Sequence, residues 1–312
     1  MTSRLKHLCL SLALCGAALS AFAAEEQVPS MTKRLGQAAL EVKVGEPAKG
    51  YAVVIGGALK SDNDEVWGRM VELSGGKGAR WVVFGTASEA PDKAGRRAAE
   101  LLERRGAVAE SMPVAPQLKW VDLDKAVRDP ALLDLVRTAQ GVFFTGGAQE
   151  RIVDTFKPGG QETPMLKAIW AVYRRGGVVA GTSAGAAIMS TIMFRDALSV
   201  INVMKGQLRE GKEIDHGLGF VGPNLFVDQH FLKRGRFGRM IPLMLAKGYK
   251  LGLGVDEDSA AIVQGDLVEI IGAKGAPLAG GAGAPGGTGT QGTTGTGTQG
   301  TTTPTAIPEL VR

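Results

Sequence analysis

Cysteine is nearly missing from this chain. It occurs twice, as Cys9 and Cys15, and nowhere after. Both lie in MTSRLKHLCLSLALCGAALSAFA, which has a basic start, an apolar run from Leu8 to Leu19 and a small-x-small ending at Ala21–Ala23. That layout is a secretory signal peptide over residues 1–23, with cleavage expected after Ala23. Bulky Leu14 before Cys15 argues against a lipoprotein site. Without the leader, the chain has no thiolate nucleophile, disulfide or Cys-ligated metal. Histidine is also scarce: His7 leaves with the leader, so a histidine mechanism must use His216 or His230. Long apolar runs are lacking too. The leader's run is too short for a membrane span, and no stable membrane insertion is expected. The formal charge is only +5. Losing Arg4 and Lys6 brings it to about +3, too small to argue for a nucleic-acid partner.

What is present alternates. Residues 24–47 form a mixed polar arm. From Tyr51, short apolar runs (YAVVIGG, RWVVFGTAS, GVFFTGG, GVVAGTSAG, LFVDQH) alternate with amphipathic stretches such as DEVWGRMVEL, PDKAGRRAAELLERRG and ETPMLKAIWAVYRRGG. LKWVDL is a further strand candidate, and Asp129-Pro130 has the chemistry of an N-cap and first helical position. The basic stretch after His230 suits a helix, and LGLGVDEDSAAIVQGDLVEIIG reads as strand, turn and hairpin. Buried strands alternating with helices predict one α/β domain over 48–274 with a largely parallel sheet. Residues 275–312 form a different region. GTGTQGTT at 287–294 repeats letter for letter at 295–302. Such a stretch offers little apolar burial against its ordering entropy, so a flexible tail is expected. The final AIPELVR is the part with side chains able to dock back.

The chemistry centres on Gly181-Thr182-Ser183-Ala184-Gly185, a Gly-x-Ser-x-Gly motif between an apolar strand and the helix-compatible AAIMS. A sharp strand-to-helix turn exposes the Ser oxygen, and the glycines let backbones cross closely. A plain Gly/Ser turn fits the same letters, but the strand and helix favour a nucleophile. A serine nucleophile needs a base. His230 closes a strand, where parallel sheets place functional groups, whereas His216 lies in a loop-like stretch. The orienting acid is open among Asp256, Glu257 and Asp258, again at a strand end. The Ala184 amide and one from Gly146 or Gly147 are candidate oxyanion donors, with Gln149 near enough in sequence to bond substrate. Arg236 and Arg239 are spaced to share a helix face, with Arg234 offset. A solvated face is the ordinary reading of such a run. Starting four residues after the presumed base, it also fits an anionic substrate, because guanidinium groups bind carboxylates bidentately.

In order, VVIGGA, FFTGGAQERI, VVAGTSAGAAIMS, FVDQHFLKRGRFGR and GLGVDEDSA resemble the cyanophycinases, of the peptidase E-like serine hydrolases, over residues 48–272. The resemblance implies a flavodoxin-like α/β fold with Ser183 as nucleophile, His230 as base and Glu257 as acid. It also implies substrate contacts from Gln149, Asp228, Gln229, Arg234, Arg236 and Arg239; Gly147 and Ala184 stay the oxyanion donors read from the residues themselves. The implied substrate is cyanophycin, a poly-aspartate chain carrying arginine on each β-carboxyl and cut to β-Asp-Arg dipeptides. Asp228 is a possible partner for its guanidinium, and the arginines for its α-carboxylate. No metal or other cofactor is implied, and a homodimer is. The leader adds export, to periplasm or medium. Two other functions fit the same residues: a peptidase E-like aspartyl dipeptidase or related amidase or esterase, and a non-catalytic protein binding an Asp/Arg polymer. The chain departs from the pattern at Ala148, where a polar residue is frequent, and in its Gly/Thr repeat.

Overall fold

The computed structural model describes residues 50–195 and 199–280 and the backbone of Thr305–Ala306. All belong to one unit, Glu41–Arg312. The expected leader (1–23), the whole arm (24–47) and the Gly/Thr repeat lie outside the described residues.

Five short apolar runs become parallel strands: β1 (Tyr51–Ile55), β2 (Arg80–Phe84), β3 (Val108–Met112), β4 (Gly141–Phe144) and β5 (Val178–Thr182). They lie in the order β3-β2-β4-β5-β1. Two smaller sheets follow in sequence. One pairs β6 (Ile192–Phe194) antiparallel with β7 (Ile214–His216), and the other pairs β8 (Leu225–Gln229) parallel with β9 (Leu251–Val255). The hairpin β10 (Ser259–Gln264) and β11 (Leu267–Gly272) then extends the main sheet antiparallel beyond β1. Pairing continues past residue 274, where the tail is expected to begin: β12 (Leu278–Gly280) joins β9, and β13 (Thr305–Ala306) joins β11.

The helices are α1 (Asp64–Leu73), α2 (Pro91–Glu103), α3 (Leu123–Ala126), α4 (Pro130–Thr138), α5 (Gln149–Phe156), α6 (Pro164–Arg174), α7 (Ala184–Ala187), α8 (Val200–Met204) and α9 (Phe237–Lys247). Side-chain caps start several of them. Asn63 accepts from Val66, Asp129 from Ala131 and Leu132, and Thr163 from Leu166. Each such cap stabilises by about 0.5–2 kcal/mol.

Strand side chains alternate between two apolar layers. Ala52, Val54, Val82, Phe84, Val142 and Phe144 belong to one. Val53, Ile55, Trp81, Val83 and Phe143 belong to the other. Burial on both faces explains why these strands read as continuous apolar runs and forces a largely parallel α/β sheet flanked by helices. A third cluster, including Phe194, Phe226, Phe231, Met240 and Tyr249, seats the β8–β9 sheet and α9.

Two expectations need correction. LKWVDL is a turn region leading into α3, with Trp120 70% exposed; the third strand is Val108–Met112. That edge strand carries few apolar residues because only part of it is covered, so its pattern is weak. The helix after His230 begins later than expected, at Phe237. Residues 231–236 form a turn containing Gly235 at φ 59°.

Candidate active site

The turn after β5 is strained. Ser183 has φ 53° and ψ −109°, and its amide donates to the Ile55 carbonyl at 3.0 Å. Positive φ in a residue with a side chain costs about 1–3 kcal/mol and persists only where surroundings enforce it. The two motif glycines do this. A Cβ at Gly181 would lie 2.2 Å from the Gly185 carbonyl oxygen, and one at Gly185 would lie 2.4 Å from that of Phe144. No other residue lets β4, β5 and α7 approach so closely.

His230 follows β8 and is also forced to positive φ, 48°. Its amide donates to the Gly56 carbonyl at 2.8 Å, which carries it to the end of β1. There the ring lies on bare backbone: a Cβ on Gly57 would stand 2.3 Å from both Cε1 and Nε2. Nε2 is 2.9 Å from Ser183 Oγ, and Nδ1 is 2.9 Å from Glu257 Oε1. A carboxylate can only accept, so Nδ1 carries the proton and Nε2 faces the serine hydroxyl as an acceptor. Burial pushes the His230 pKa below its ordinary value; the Glu257 hydrogen bond opposes this, and the charges of Arg234 and Arg236 add to the lowering. The shift favours the neutral imidazole, the form able to accept a proton. Glu257 is held below the usual carboxylate range by its hydrogen bond to His230.

The three consecutive acids have three different partners. Glu257 alone bonds His230. Asp256 is buried, and its Oδ1 accepts from the amides of Leu232 at 2.9 Å and Lys233 at 3.3 Å, so it holds the turn that carries the arginines. Asp258, at φ 61°, accepts from the Lys60 amide at 3.0 Å and from Asn63 Nδ2 at 2.9 Å, while its own amide donates to Gly57 O at 2.9 Å. Burial raises its pKa, but these bonds outweigh it and the net shift is downward. Asp258 thereby ties the Gly56–Asn63 loop beneath the His230 ring. Among the described residues, the non-glycine positions at positive φ are Ala58, Ser183, His230 and Asp258. All four belong to these loops, where strain is expected to collect at a working site.

The loop after β4 supplies donors. The Cβ position of Gly146 is 3.2 Å from Ser183 Cβ. Gly147 has φ 144°, and a Cβ there would overlap the Ala87 carbonyl oxygen at 2.0 Å. Among the described residues, none accepts a hydrogen bond from the amides of Gly146, Gly147 or Ala184. Ala184 follows the nucleophile in the chain and Gly146 packs on Ser183, so these amides are the candidates for an oxyanion site.

The basic segment divides in two. Arg239 and Asp228 are 4% and 2% exposed and form a fork, Nε–Oδ2 2.7 Å and Nη2–Oδ1 2.6 Å. The Arg239 guanidinium also lies 4.2 Å from the Phe194 ring centroid. The resemblance offers Asp228 to a substrate guanidinium and Arg239, with Arg234 and Arg236, to its carboxylate; in the structure Asp228 and Arg239 bond each other. Arg236 is half-buried, donates to the Gln229 carbonyl at 2.7 Å and lies 3.6 Å from Asp228. Burial, then the Arg239 charge, lower its pKa to about 10. Arg234 is exposed. Gln229 is buried with its Oε1 unpartnered among the described residues. Gln149 Nε2 donates to the Phe194 carbonyl at 2.8 Å. His216 is exposed on β7 and does not bond Ser183. Sequence reasoning missed Gly57, Asn63 and the separate tasks of Asp256 and Asp258. The Gly-Gly pair ending β1 was the one available signal.

A serine on a strained strand-to-helix turn, in series with a neutral imidazole and a carboxylate, defines an α/β serine hydrolase. Comparison narrows the class. Residues 52–271 match peptidase family S51. A cyanophycinase of Trichormus variabilis is 32% identical over 239 residues, covering 73% of this chain and 72% of its own. One of Geminocystis herdmanii is 30% identical over 225 residues, covering 70% and 76%. The crystal structure of a peptidase from an acI-B1 Actinobacterium superposes with a TM-score of 0.57 at 20% identity, covering 76% and 93% of the two chains; it shares the fold. The chain belongs to peptidase family S51 and is a serine-type peptidase.

Proposed function

We propose that this peptidase hydrolyses cyanophycin and releases β-Asp-Arg dipeptides. The observation that carries the substrate reading is the cationic turn after His230. Arg234 is exposed, and Arg236 is braced by the Gln229 carbonyl beside the buried Asp228–Arg239 pair. A polymer with a free α-carboxylate on every arginine is a chemical match for such a turn.

The proposed reaction follows from the hydrogen-bond series. Ser183 Oγ attacks the scissile carbonyl while His230 Nε2 takes its proton, and Glu257 stabilises the imidazolium. The oxyanion that forms accepts from the Gly147 and Ala184 amides, in place of solvent. His230 then returns the proton to the leaving nitrogen as the C–N bond breaks, leaving an acyl-enzyme on Ser183. A water, deprotonated by His230, attacks this ester, and proton return to Oγ restores the enzyme.

Digestion of purified cyanophycin by the chain from residue 24 tests this, with product masses as the readout. β-Asp-Arg is the expected product, and Ser183→Ala abolishes its release. An intact polymer together with cleavage of short aspartyl dipeptides would transfer the assignment to a peptidase E-like dipeptidase. Export is a second part of the proposal, supported by the leader-type sequence at 1–23. Cell fractionation tests it, with cytosolic retention as the refuting result.

A further inference from the structure

A shallow, largely open cleft of about 630 Å³ lies along α2, lined by Ser88, Lys93, Arg96, Arg97 and Glu100 among others. The three cations are exposed, and none is ion-paired among the described residues. Helix stability does not explain them. Lys93 stands in the first turn of α2, where the macrodipole disfavours a cation. Arg96 and Arg97 are spaced for pairs with Glu100 that the structure does not form.

The cleft adjoins the oxyanion loop. The Ala148 amide donates to the Ala87 carbonyl at 2.9 Å, and Arg151 Nη1 donates to the same oxygen at 3.1 Å. Ser88 N lies 2.9 Å from the Cβ position of Gly147, while Gly146 packs on Ser183. Ser88 thus borders the cleft on one side and the catalytic loop on the other. The loop that leads into α2 is tightly packed, since a Cβ at Gly85 would stand 2.2 Å from the Pro91 carbonyl oxygen.

We infer that this cleft is an extended subsite for polymer units beyond the scissile bond, holding their arginine α-carboxylates on Lys93, Arg96 and Arg97. The inference rests on the cyanophycin reading and deepens it. Extended peptide units repeat every ~3.3–3.6 Å, and Lys93 to Arg97 spans about 6 Å of helix. The three cations therefore match the spacing of about two to three units. Glu100 gives one opposite charge for a guanidinium of the same zwitterionic unit.

The test compares a long polymer with a two-unit substrate, (β-Asp-Arg)2, on wild type and on the combined Lys93→Ala, Arg96→Ala, Arg97→Ala variant. The expected result is a KM for long polymer raised about tenfold, from three exposed carboxylate contacts, with kcat unchanged and two-unit kinetics within about twofold. Arg96→Lys with Arg97→Lys, which keep the charge, should recover most of the affinity. Equal effects on both substrates, or none on either, would overturn the subsite. If wild type leaves the polymer intact, the substrate reading itself fails. Polymer binding to Ser183→Ala enzyme then decides the cleft: binding lost in the triple variant supports it, and absent or undiminished binding overturns it.

Discussion

Replacing Gly57 by alanine tests the catalytic geometry without replacing any group that reacts. The new Cβ would stand 2.3 Å from Cε1 and Nε2 of His230 and 3.0 Å from Cδ2. Ordinary carbon contacts begin near ~3.5 Å, so the ring must retreat by about 1 Å. Its bond to Ser183 Oγ is 2.9 Å, and such a shift removes it. Misplacement of about 1 Å costs about 10²-fold, and loss of a general base costs about 10²–10⁴-fold. The expected kcat is therefore lower by about 10²–10⁴, with KM nearly unchanged because the arginine turn is not contacted. Gly57 also has φ 104°, so alanine adds a backbone cost of about 1–3 kcal/mol, visible as a lower Tm. Steady-state kinetics, fluorophosphonate labelling of Ser183 and a circular-dichroism melt measure the three quantities. A folded Gly57→Ala enzyme with kcat within about threefold of wild type would refute the claim that this glycine positions the base.

Three other perturbations separate roles that the sequence merges. Because burial depresses the His230 pKa, kcat/KM should rise with pH through a value below the ordinary 6.5 and then level; Arg234→Gln, which removes a positive neighbour, should move that limb upward, and a downward shift would contradict it. The sign for stability agrees. The folded state binds fewer protons at His230, so its contribution is complete above 6.5 and declines as pH falls toward the folded value, which melts across pH should show. Arg234→Ala should raise KM with Tm unchanged, whereas Arg239→Ala takes both fork bonds from the buried Asp228, leaves it only Arg236 at 3.6 Å and should destabilise by about 3 kcal/mol; equal Tm losses would contradict the division. Asp256→Ala leaves two amides of the arginine turn without their acceptor, at about 1–3 kcal/mol, and should raise KM more than it lowers kcat, with Asp256→Asn milder.

Much of the architecture was legible from local pattern alone. Strands buried on both faces print continuous apolar runs, caps need particular side chains, and Gly181 and Gly185 mark a turn that admits nothing larger. The meeting of Ser183 with His230 was legible too, since one motif and two histidines left few choices. The acid that bonds His230 was not. Asp256, Glu257 and Asp258 are equivalent as letters, and only the placement of β9 beside β8 and of β10 beside β1 turns Glu257 toward His230. The edge strand Val108–Met112 was missed because partial burial leaves little periodicity. The basic segment was visible as charge, but charge does not reveal which arginine is solvated and which is folded inward. Asp228 and Arg239 are eleven residues apart, on a strand and a helix, and meet only because the third apolar cluster packs α9 against that small sheet. Sequence determines what can form locally. Which ends of which strands share a point in space is a long-range property of packing, and it turned Glu257 toward His230, paired Arg239 with Asp228 and left Arg234 exposed.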